Sequence, residues 1–347
     1  MQKLKLGFYP YTFVRTNVMR SLLLKREDYD RIMKMTVAEI TRHLQELHYR
    51  DDINRLGGAY STTELIEMAL THNLDRSFRK LRMICGKSTD LSVLVDAYMQ
   101  RYDVYNIKTI LRVLQTGQEK EEGAELISGA GTISAEFYKE VLRGSDSVRS
   151  ALERLMPTAY VNKSMLDMEL RVIENELDKL YYQYLLELAD RIPEPVNLFR
   201  DFIEAEIEML NLMTLVRLRR EGVAEDTVRS LLILPKNVLR RSFVTKLLDV
   251  TKVEDILKYL EKTKYKDIAE VAMKDFRENN SLMQLERGLR KHVLEKSVLM
   301  LHQDILSVNV ILGYMFAKEI EVRNLRIIVK SKKFGLDEKF MEKELIA

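Results

Sequence analysis

Apolar side chains recur at helical spacing along most of the chain, and charged residues fill much of the space between them. In the segment VRSALERLMPTAY, the residues Val148, Ala151 and Leu155 fall on one face of a helix. The same frame begins again at Val253 and, near the start of the chain, at Val37. Each frame carries a Tyr twelve residues after its Val. Amphipathic helices in series predict an all-α protein.

Three other segments are variants of one pattern, and we call the helices that they predict the marker helices. An acid stands three residues before an Asn, a basic residue follows that Asn by six, and a Gly follows it by eleven. The segments are DVYNIKTILRVLQTG, EMLNLMTLVRLRREG and EVRNLRIIVKSKKFG. Their marker residues are Asp103, Asn106, Arg112 and Gly117, then Glu208, Asn211, Arg217 and Gly222, and finally Glu321, Asn324, Lys330 and Gly335. A helix around Asn17 fits loosely, because Val14 replaces the acid and Asp28 replaces the Gly.

The two patterns keep a fixed distance, since 42 residues separate Asn106 from Val148 and Asn211 from Val253. A repeat of roughly 105 to 111 residues is longer than the units of about 34 to 47 residues found in helical solenoids. Each copy is therefore the size of a domain. We predict three homologous helical domains, at residues 1–100, 101–204 and 205–347, the last with terminal helices.

Composition supports helices and limits the kinds of partner. The chain has 56 Lys and Arg against 53 Asp and Glu, and the two signs are interleaved, which argues against a nucleic-acid-binding protein. The single cysteine, Cys85, rules out an internal disulfide and a multi-cysteine zinc site.

The opening residues do not have the pattern of a signal peptide. The apolar segment 298–317 contains Asp304 and other polar residues, so we expect a helix buried in protein rather than a membrane span.

The motifs associated with catalysis have simpler interpretations. CGKST at residues 85–89 lacks the earlier Gly of a phosphate-binding loop, and we expect a helix stop at Gly86 and an N-cap at Ser88 or Asp90. SGAGT at residues 128–132 is expected to be a flexible loop before a cap at Ser134. The adjacent acids Asp51 and Asp52 are expected to cap a helix or to lie in a solvated turn, rather than to bind magnesium. The five histidines have no zinc-site spacing, so we predict no metal and no cofactor.

The marker acids and asparagines need an explanation, because Asn is mildly unfavourable inside a helix. One interpretation is that Asn106, Asn211 and Asn324 bond to a neighbouring helix within their own domain. The other is that they line a surface that receives a partner. The acids and basic residues of the three marker helices are candidates for the same two roles.

At DVYNIKTILR, and at the opening YPYTFVRTNVMRSLL, the chain resembles the C subunit of the archaeal and bacterial A-type and V-type rotary ATPases, which is related to the d subunit of the eukaryotic vacuolar enzyme. Arg15, Met19 and the pair Leu22 and Leu23 carry the second likeness, and Pro10 departs from it. The resemblance covers essentially the whole chain.

The resemblance implies a pseudo-threefold funnel of three helical domains in the central stalk. It implies a rotor subunit that joins the central shaft subunits to the membrane proteolipid ring, on the cytoplasmic face of the membrane. Such a subunit is not an enzyme and binds neither nucleotide nor nucleic acid. Two other hypotheses stay open on the residues alone. A general α-helical scaffold would have no affinity for a proteolipid ring, and a helical enzyme would have one deep pocket with converging titratable groups.

Overall fold

The computed structural model describes residues 3–4, 9–58, 60, 62–86, 89–192, 198–234, 243–301 and 308–346. Within these ranges the chain forms helices and no strands, which confirms the all-α prediction. The α-helices are α1 (Pro10–Ser21), α2 (Arg26–Ile32), α3 (Val37–Glu46), α4 (Arg50–Leu56), α5 (Thr62–Cys85), α6 (Asp90–Thr116), α7 (Lys120–Glu125), α8 (Ala135–Arg143), α9 (Val148–Leu155), α10 (Leu170–Ala189), α11 (Leu198–Arg220), α12 (Glu225–Leu231), α13 (Val253–Leu260), α14 (Lys266–Asn279), α15 (Met283–Leu301), α16 (Val308–Lys333) and α17 (Glu338–Glu344). Two short 3-10 helices lie at Lys163–Asp167 and Phe243–Leu247.

The chain divides into two compact units. Unit 1 comprises Met1–Leu4, Lys108–Lys120 and Val141–Lys296, and unit 2 comprises Lys5–Ile107, Glu121–Glu140 and Ser297–Ala347. The division into three domains and their funnel arrangement therefore stay predictions.

Unit 1 is built around the apolar faces of α11 and of the helices that follow it. Leu212 and Val216 of α11 are fully buried in one cluster with Ile256 and Leu260 of α13. The helical stripe that the sequence predicts for the frame at Val253 is thereby confirmed, because Val253 itself is only 5% exposed.

Unit 2 brings the first and last parts of the chain together, since α16 packs against α1, α3 and α5. Its core contains Ile40 and Leu44 of the first frame, and Tyr98 packs edge-on against Phe316 at 4.9 Å between ring centroids. Residues 310–316 of α16 are buried, as predicted for the apolar segment 298–317. Residues 302–307 of that segment lie outside the described residues.

The helix boundaries near Cys85 correct one detail of the sequence analysis. Helix α5 ends as predicted, with Gly86 at a φ of +79°. The cap of α6 is Thr89 rather than Asp90, because the Thr89 hydroxyl accepts the backbone N–H of Ser92 at 3.0 Å, and Asp90 is the first helical residue. Ser88, the other predicted cap, lies outside the described residues.

Candidate functional site

Each marker Asn pairs with the backbone of the residue 22 positions later, and we call this pairing an asparagine clip. The side-chain Nδ2 donates to the carbonyl of that residue, while the backbone N–H of the same residue donates to Oδ1. The two N···O distances are 2.9 and 2.9 Å for Asn106 with Ser128, 2.8 and 2.8 Å for Asn211 with Ile233, and 2.6 and 3.1 Å for Asn324 with Ile346. All three Asn residues are buried. Their partner is a loop rather than the neighbouring helix that the first interpretation predicted.

The clip explains why the marker position is Asn. A carboxamide carries a donor and an acceptor side by side, so it can satisfy both groups of one residue's backbone in a buried loop. A hydrocarbon of the same size would leave both backbone groups unpaired, at a cost of about 1–3 kcal/mol each. The Asn residues therefore hold the loops in place.

The marker glycines begin the turn that leads to each clip. Gly117, Gly222 and Gly335 have φ values of +69°, +70° and +68°, which glycine adopts without strain. The residue after Gly222 donates its N–H to Leu218 O at 3.0 Å, and the residue after Gly335 donates to Ser331 O at 2.9 Å. These are the bonds of a Schellman helix stop. A short helix, α7, α12 or α17, then leads to the clipped loop.

The acid of the third marker helix lies in a buried polar cluster in unit 2. Tyr49 donates its hydroxyl to Glu321 Oε1 at 2.6 Å, and Lys318 Nζ lies 2.6 Å from the same oxygen. His48 Nε2 lies 3.0 Å from that oxygen, and the backbone N–H of Leu24 donates to Oε2 at 2.6 Å. Donors thus surround both oxygens of this carboxylate.

Burial alone raises the pKa of Glu321, but Lys318 and His48 beside it outweigh burial and bring the pKa down to about 2. Burial lowers the pKa of Lys318, and the attraction of Glu321 offsets part of that change. The two side chains, 2% and 1% exposed, form a buried ion pair. A pair of this kind is strongly destabilising when one partner alone is removed.

The acid of the second marker helix has a similar but more exposed environment in unit 1. Tyr265 donates its hydroxyl to Glu208 Oε2 at 2.8 Å, and Lys264 Nζ lies 2.5 Å from that oxygen. The Glu208 side chain is 16% exposed, against 2% for Glu321. Both acids thus accept a bond from the Tyr that closes a Val frame.

The acid of the first marker helix, Asp103, is held by the loop that contains SGAGT. Its carboxylate accepts the backbone N–H groups of Thr132 at 2.9 Å and Ile133 at 3.1 Å, and the hydroxyl of Tyr138 at 3.2 Å. A Cβ added to Gly131 would lie 2.3 Å from Asp103 Oδ1, so a side chain cannot fit there without a shift.

A second buried carboxylate, Asp75, holds the start of the same loop. It accepts the Gly129 N–H at 2.8 Å and the Ser128 hydroxyl at 3.1 Å. Burial raises the pKa of Asp75 to about 6, although both hydrogen bonds act in the opposite direction. The prediction of a flexible loop at residues 128–132 is wrong, because two buried carboxylates and one clip fix it. The expected cap at Ser134 is confirmed by a bond from the Phe137 N–H at 3.3 Å.

The basic marker residues do not share one environment. Arg112 forms a bidentate ion pair with Glu174, with N···O distances of 2.5 and 2.9 Å. Arg217 pairs with Glu286 at 2.6 Å. Lys330 is exposed. Two of the three basic markers therefore take part in ion pairs within unit 1.

Several residues of these clusters were absent from the sequence prediction, namely His48, Tyr49, Lys318 and Asp75. The sequence does contain a signal for Tyr49. Tyr265 and Tyr49 occupy the same position in their Val frames, and Tyr265 follows the marker acid Glu208 by 57 residues. The expectation for the adjacent acids also needs correction. Asp52 is 2% exposed and accepts a bond from Asn73 at 2.8 Å, although the Asp51 side chain is 80% exposed as expected.

The chemistry of these clusters is structural, since their carboxylates accept bonds from fixed donors. Across the described ranges, no group of three or more His, Cys, Asp and Glu side chains could hold a metal ion. In the same part of the chain, no helix has the length and apolar character needed to cross a membrane.

Comparison with known proteins relates the whole chain to one family. The sequence profile described as ATP synthase (C/AC39) subunit matches residues 13–344. The chain is 34% identical to the C subunit of the A-type ATP synthase of Methanococcoides burtonii, over 97% of this chain and 94% of that protein. The proteins of the same name from Methanosarcina barkeri and Haloquadratum walsbyi are 33% and 30% identical, again over 97% of this chain, and over 92% and 97% of their own lengths.

Proposed function

The chain belongs to the ATP synthase (C/AC39) subunit family, and on that premise we propose that it is a non-catalytic rotor subunit of an A-type or V-type rotary ATPase. In this role it joins the central shaft subunits to the membrane proteolipid ring and transmits torque between them. It belongs at the cytoplasmic face of the membrane as a peripheral protein. The complex would use this rotation for ATP synthesis or for ion transport.

The observation that carries the proposal is the threefold repetition of the asparagine clip. Asn106, Asn211 and Asn324 each fix a loop 22 residues later with the same pair of hydrogen bonds. Three copies of one rigid element suit a pseudo-threefold funnel that receives a roughly cylindrical shaft. A torque-bearing subunit also needs rigid connections, and buried clips supply them.

The marker carboxylates support a non-catalytic role. Asp103 and Glu321 are buried and already accept several hydrogen bonds each. A general acid or base must be able to reach the proton that it transfers. These two acids instead hold helices and loops in place.

The test is a binding experiment on the full chain with the two partners offered separately and together. Purified shaft subunits and detergent-solubilised proteolipid ring should each retain the protein, and the shaft should be retained on the ring only when this protein is added. Removal of the protein should leave ATP hydrolysis by the detached soluble head unchanged. Binding to neither partner across a range of salt concentrations would contradict the proposal and leave a general helical scaffold.

A further inference from the structure

Helix α1 exposes an apolar stripe to solvent. Tyr11, Val14, Val18 and Leu22 recur at intervals of three, four and four residues, and they are 67%, 61%, 53% and 54% exposed. The opposite face of α1 is buried through Phe13 and Met19, and it also contains Thr12 and Thr16. The helix thus carries apolar side chains on both faces, and the stripe is the face that lies in solvent, where large apolar side chains mark an interaction surface.

The stripe lies in a strongly basic part of the chain. The first acid is Glu27, and six cations precede it, at Lys3, Lys5, Arg15, Arg20, Lys25 and Arg26. The whole chain has a net charge of +3, so the remainder carries −3 after these six are subtracted. A positive charge this concentrated, next to an apolar helix face, is typical of a surface that meets anions.

The end of helix α5 extends this surface. The Thr12 hydroxyl donates to Ile84 O at 3.2 Å and so places α1 beside the last turns of α5. Residues 76–86 contain four Lys and Arg residues and no acid, and two of the four are paired with acids elsewhere in the chain, Arg76 with Asp51 and Asp52 and Arg82 with Asp96. Met83 is 75% exposed, and Arg79 and Lys80 are exposed as well. The basic and apolar character of α1 therefore continues onto a second helix.

A cavity of about 320 Å³ lies next to the stripe. Leu22 belongs both to the stripe and to the cavity lining, and Met19 and Leu23 also contribute apolar side chains to the lining. Arg76, Lys80 and Lys318 also line it. The lining of the cavity therefore combines apolar and cationic side chains.

The charges of the cavity favour an anionic ligand. Asp51, the acid of the lining, pairs with Arg76 at 2.9 Å, and Arg76 also pairs with the buried Asp52 at 2.8 Å. Lys318 is paired with Glu321 at 2.6 Å. Lys80, an exposed residue of the lining, adds a positive charge to the cavity.

We propose that α1 and the end of α5 form a peripheral membrane-binding surface for anionic lipid. The stripe lies among the headgroups with its apolar side chains directed toward the acyl chains, and the cavity beside it receives a lipid phosphate near Lys80. Charge complementarity selects this occupant, because the stripe offers apolar area and residues 1–26 contain six cations and no acid, although Arg26 pairs with Asp30 and Glu342. The surface goes beyond the proposed rotor function and does not depend on it.

Sedimentation of the full chain with lipid vesicles tests the proposal. The protein should bind vesicles of phosphatidylcholine mixed with phosphatidylglycerol, should bind pure phosphatidylcholine weakly, and should be released by high salt. Equal binding to both compositions, or no binding to the anionic one, would overturn it. So would binding of free glycerol phosphate without vesicle binding, because the ligand would then be soluble. Capture of an acidic helical peptide in place of vesicles would assign the surface to a protein partner.

Matched variants locate the surface. Val18→Glu should lower the vesicle partition coefficient at least tenfold, whereas Val271→Glu should leave it unchanged, because Val271 is 56% exposed on α14 in unit 1. Lys80→Gln should lower it about fivefold, the usual contribution of one cation at an anionic surface, while Lys291→Gln on α15 should have no effect. Equal losses in a variant and its control would refute the assignment. Binding to the shaft and ring, measured separately, distinguishes this result from a failure of the proposed function.

Discussion

The hydroxyl of Tyr49 donates to a carboxylate oxygen of Glu321 at 2.6 Å, across 272 residues of chain. The same pairing joins Tyr265 to Glu208 at 2.8 Å, but there the Tyr follows the acid by 57 residues. The Tyr of the first Val frame therefore pairs with the acid of the third marker helix, although the two segments lie near opposite ends of the chain. In unit 2 the Tyr–acid pairing thus joins the first and last parts of the chain, whereas in unit 1 both residues lie within one continuous stretch.

Removal of the Tyr49 hydroxyl should destabilise the protein more than removal of its counterpart. Tyr49→Phe deletes a buried bond to a charged group, which contributes about 1.5–3 kcal/mol. Tyr265→Phe deletes the same bond to the more exposed Glu208 and should cost about 1 kcal/mol. Denaturant unfolding followed by circular dichroism gives both values, and a larger loss for Tyr265→Phe would contradict the importance assigned to burial.

Loss of one asparagine clip should have a large effect on stability. Asn211→Leu leaves the N–H and C=O of Ile233 without their side-chain partner, and we expect a loss of about 2–4 kcal/mol in the free energy of unfolding. Asn279→Leu, which removes a single exposed bond to Asp275, is the control and should cost about 0.5 kcal/mol. The double variant Asn106→Leu with Asn211→Leu should also weaken assembly with the shaft subunits. Unchanged melting and unchanged assembly would remove the special role of these residues.

The Glu321 pair predicts one component of acid sensitivity. The pKa of Glu321 falls from its usual 4.5 to about 2 in the folded chain. The pair therefore contributes stability above pH 4.5, and this contribution of about 3 kcal/mol is lost as the pH falls toward 2. The double variant Lys318→Met with Glu321→Gln should lack this component. Stability curves of the two proteins that stay parallel between pH 5 and about pH 2 would contradict it.

Asp75 predicts the opposite pH dependence. Its pKa rises to about 6 on folding. Its contribution to the free energy of unfolding is therefore complete below its unfolded pKa of about 4 and is lost as the pH rises through 6. Relative to Asp75→Asn, the natural chain should lose about 3 kcal/mol over that interval. Unfolding free energies at pH 4, 5, 6 and 7 measure the difference, and a constant difference would show that Asp75 does not titrate there.

Gly131 should tolerate no side chain. A Cβ at this position would lie 2.3 Å from Asp103 Oδ1 and 3.3 Å from the Asp103 backbone nitrogen. Gly131→Ala should therefore pull the loop away from its carboxylate and cost about 2 kcal/mol or more. Gly58→Ala meets nothing within 4 Å and is the control. Equal melting temperatures for the two variants would show that the loop can shift freely.

The sequence predicted what depends on local spacing. Helical stripes such as Val253, Ile256 and Leu260 follow from residues three and four positions apart, and the structure confirms their burial. The partners of the marker side chains could not be predicted in this way. Asn324 bonds to a loop 22 residues later, and Glu321 bonds to a Tyr at the other end of the chain. Both depend on how the chain returns to itself, which spacing along the sequence does not specify.

The composition of unit 2 has a consequence for how the protein is made. Its core joins Lys5–Ile107 to Ser297–Ala347, so α5 is synthesised long before α16 can cover it. At translation rates of about 5–20 residues per second, the roughly 190 residues between these segments take about 10 to 40 seconds. During that time the face of α5 that packs against α16 is without this partner. Unit 1, most of which is the continuous stretch Val141–Lys296, can fold first. Chaperones that shield nascent chains should therefore meet this protein through its N-terminal helices.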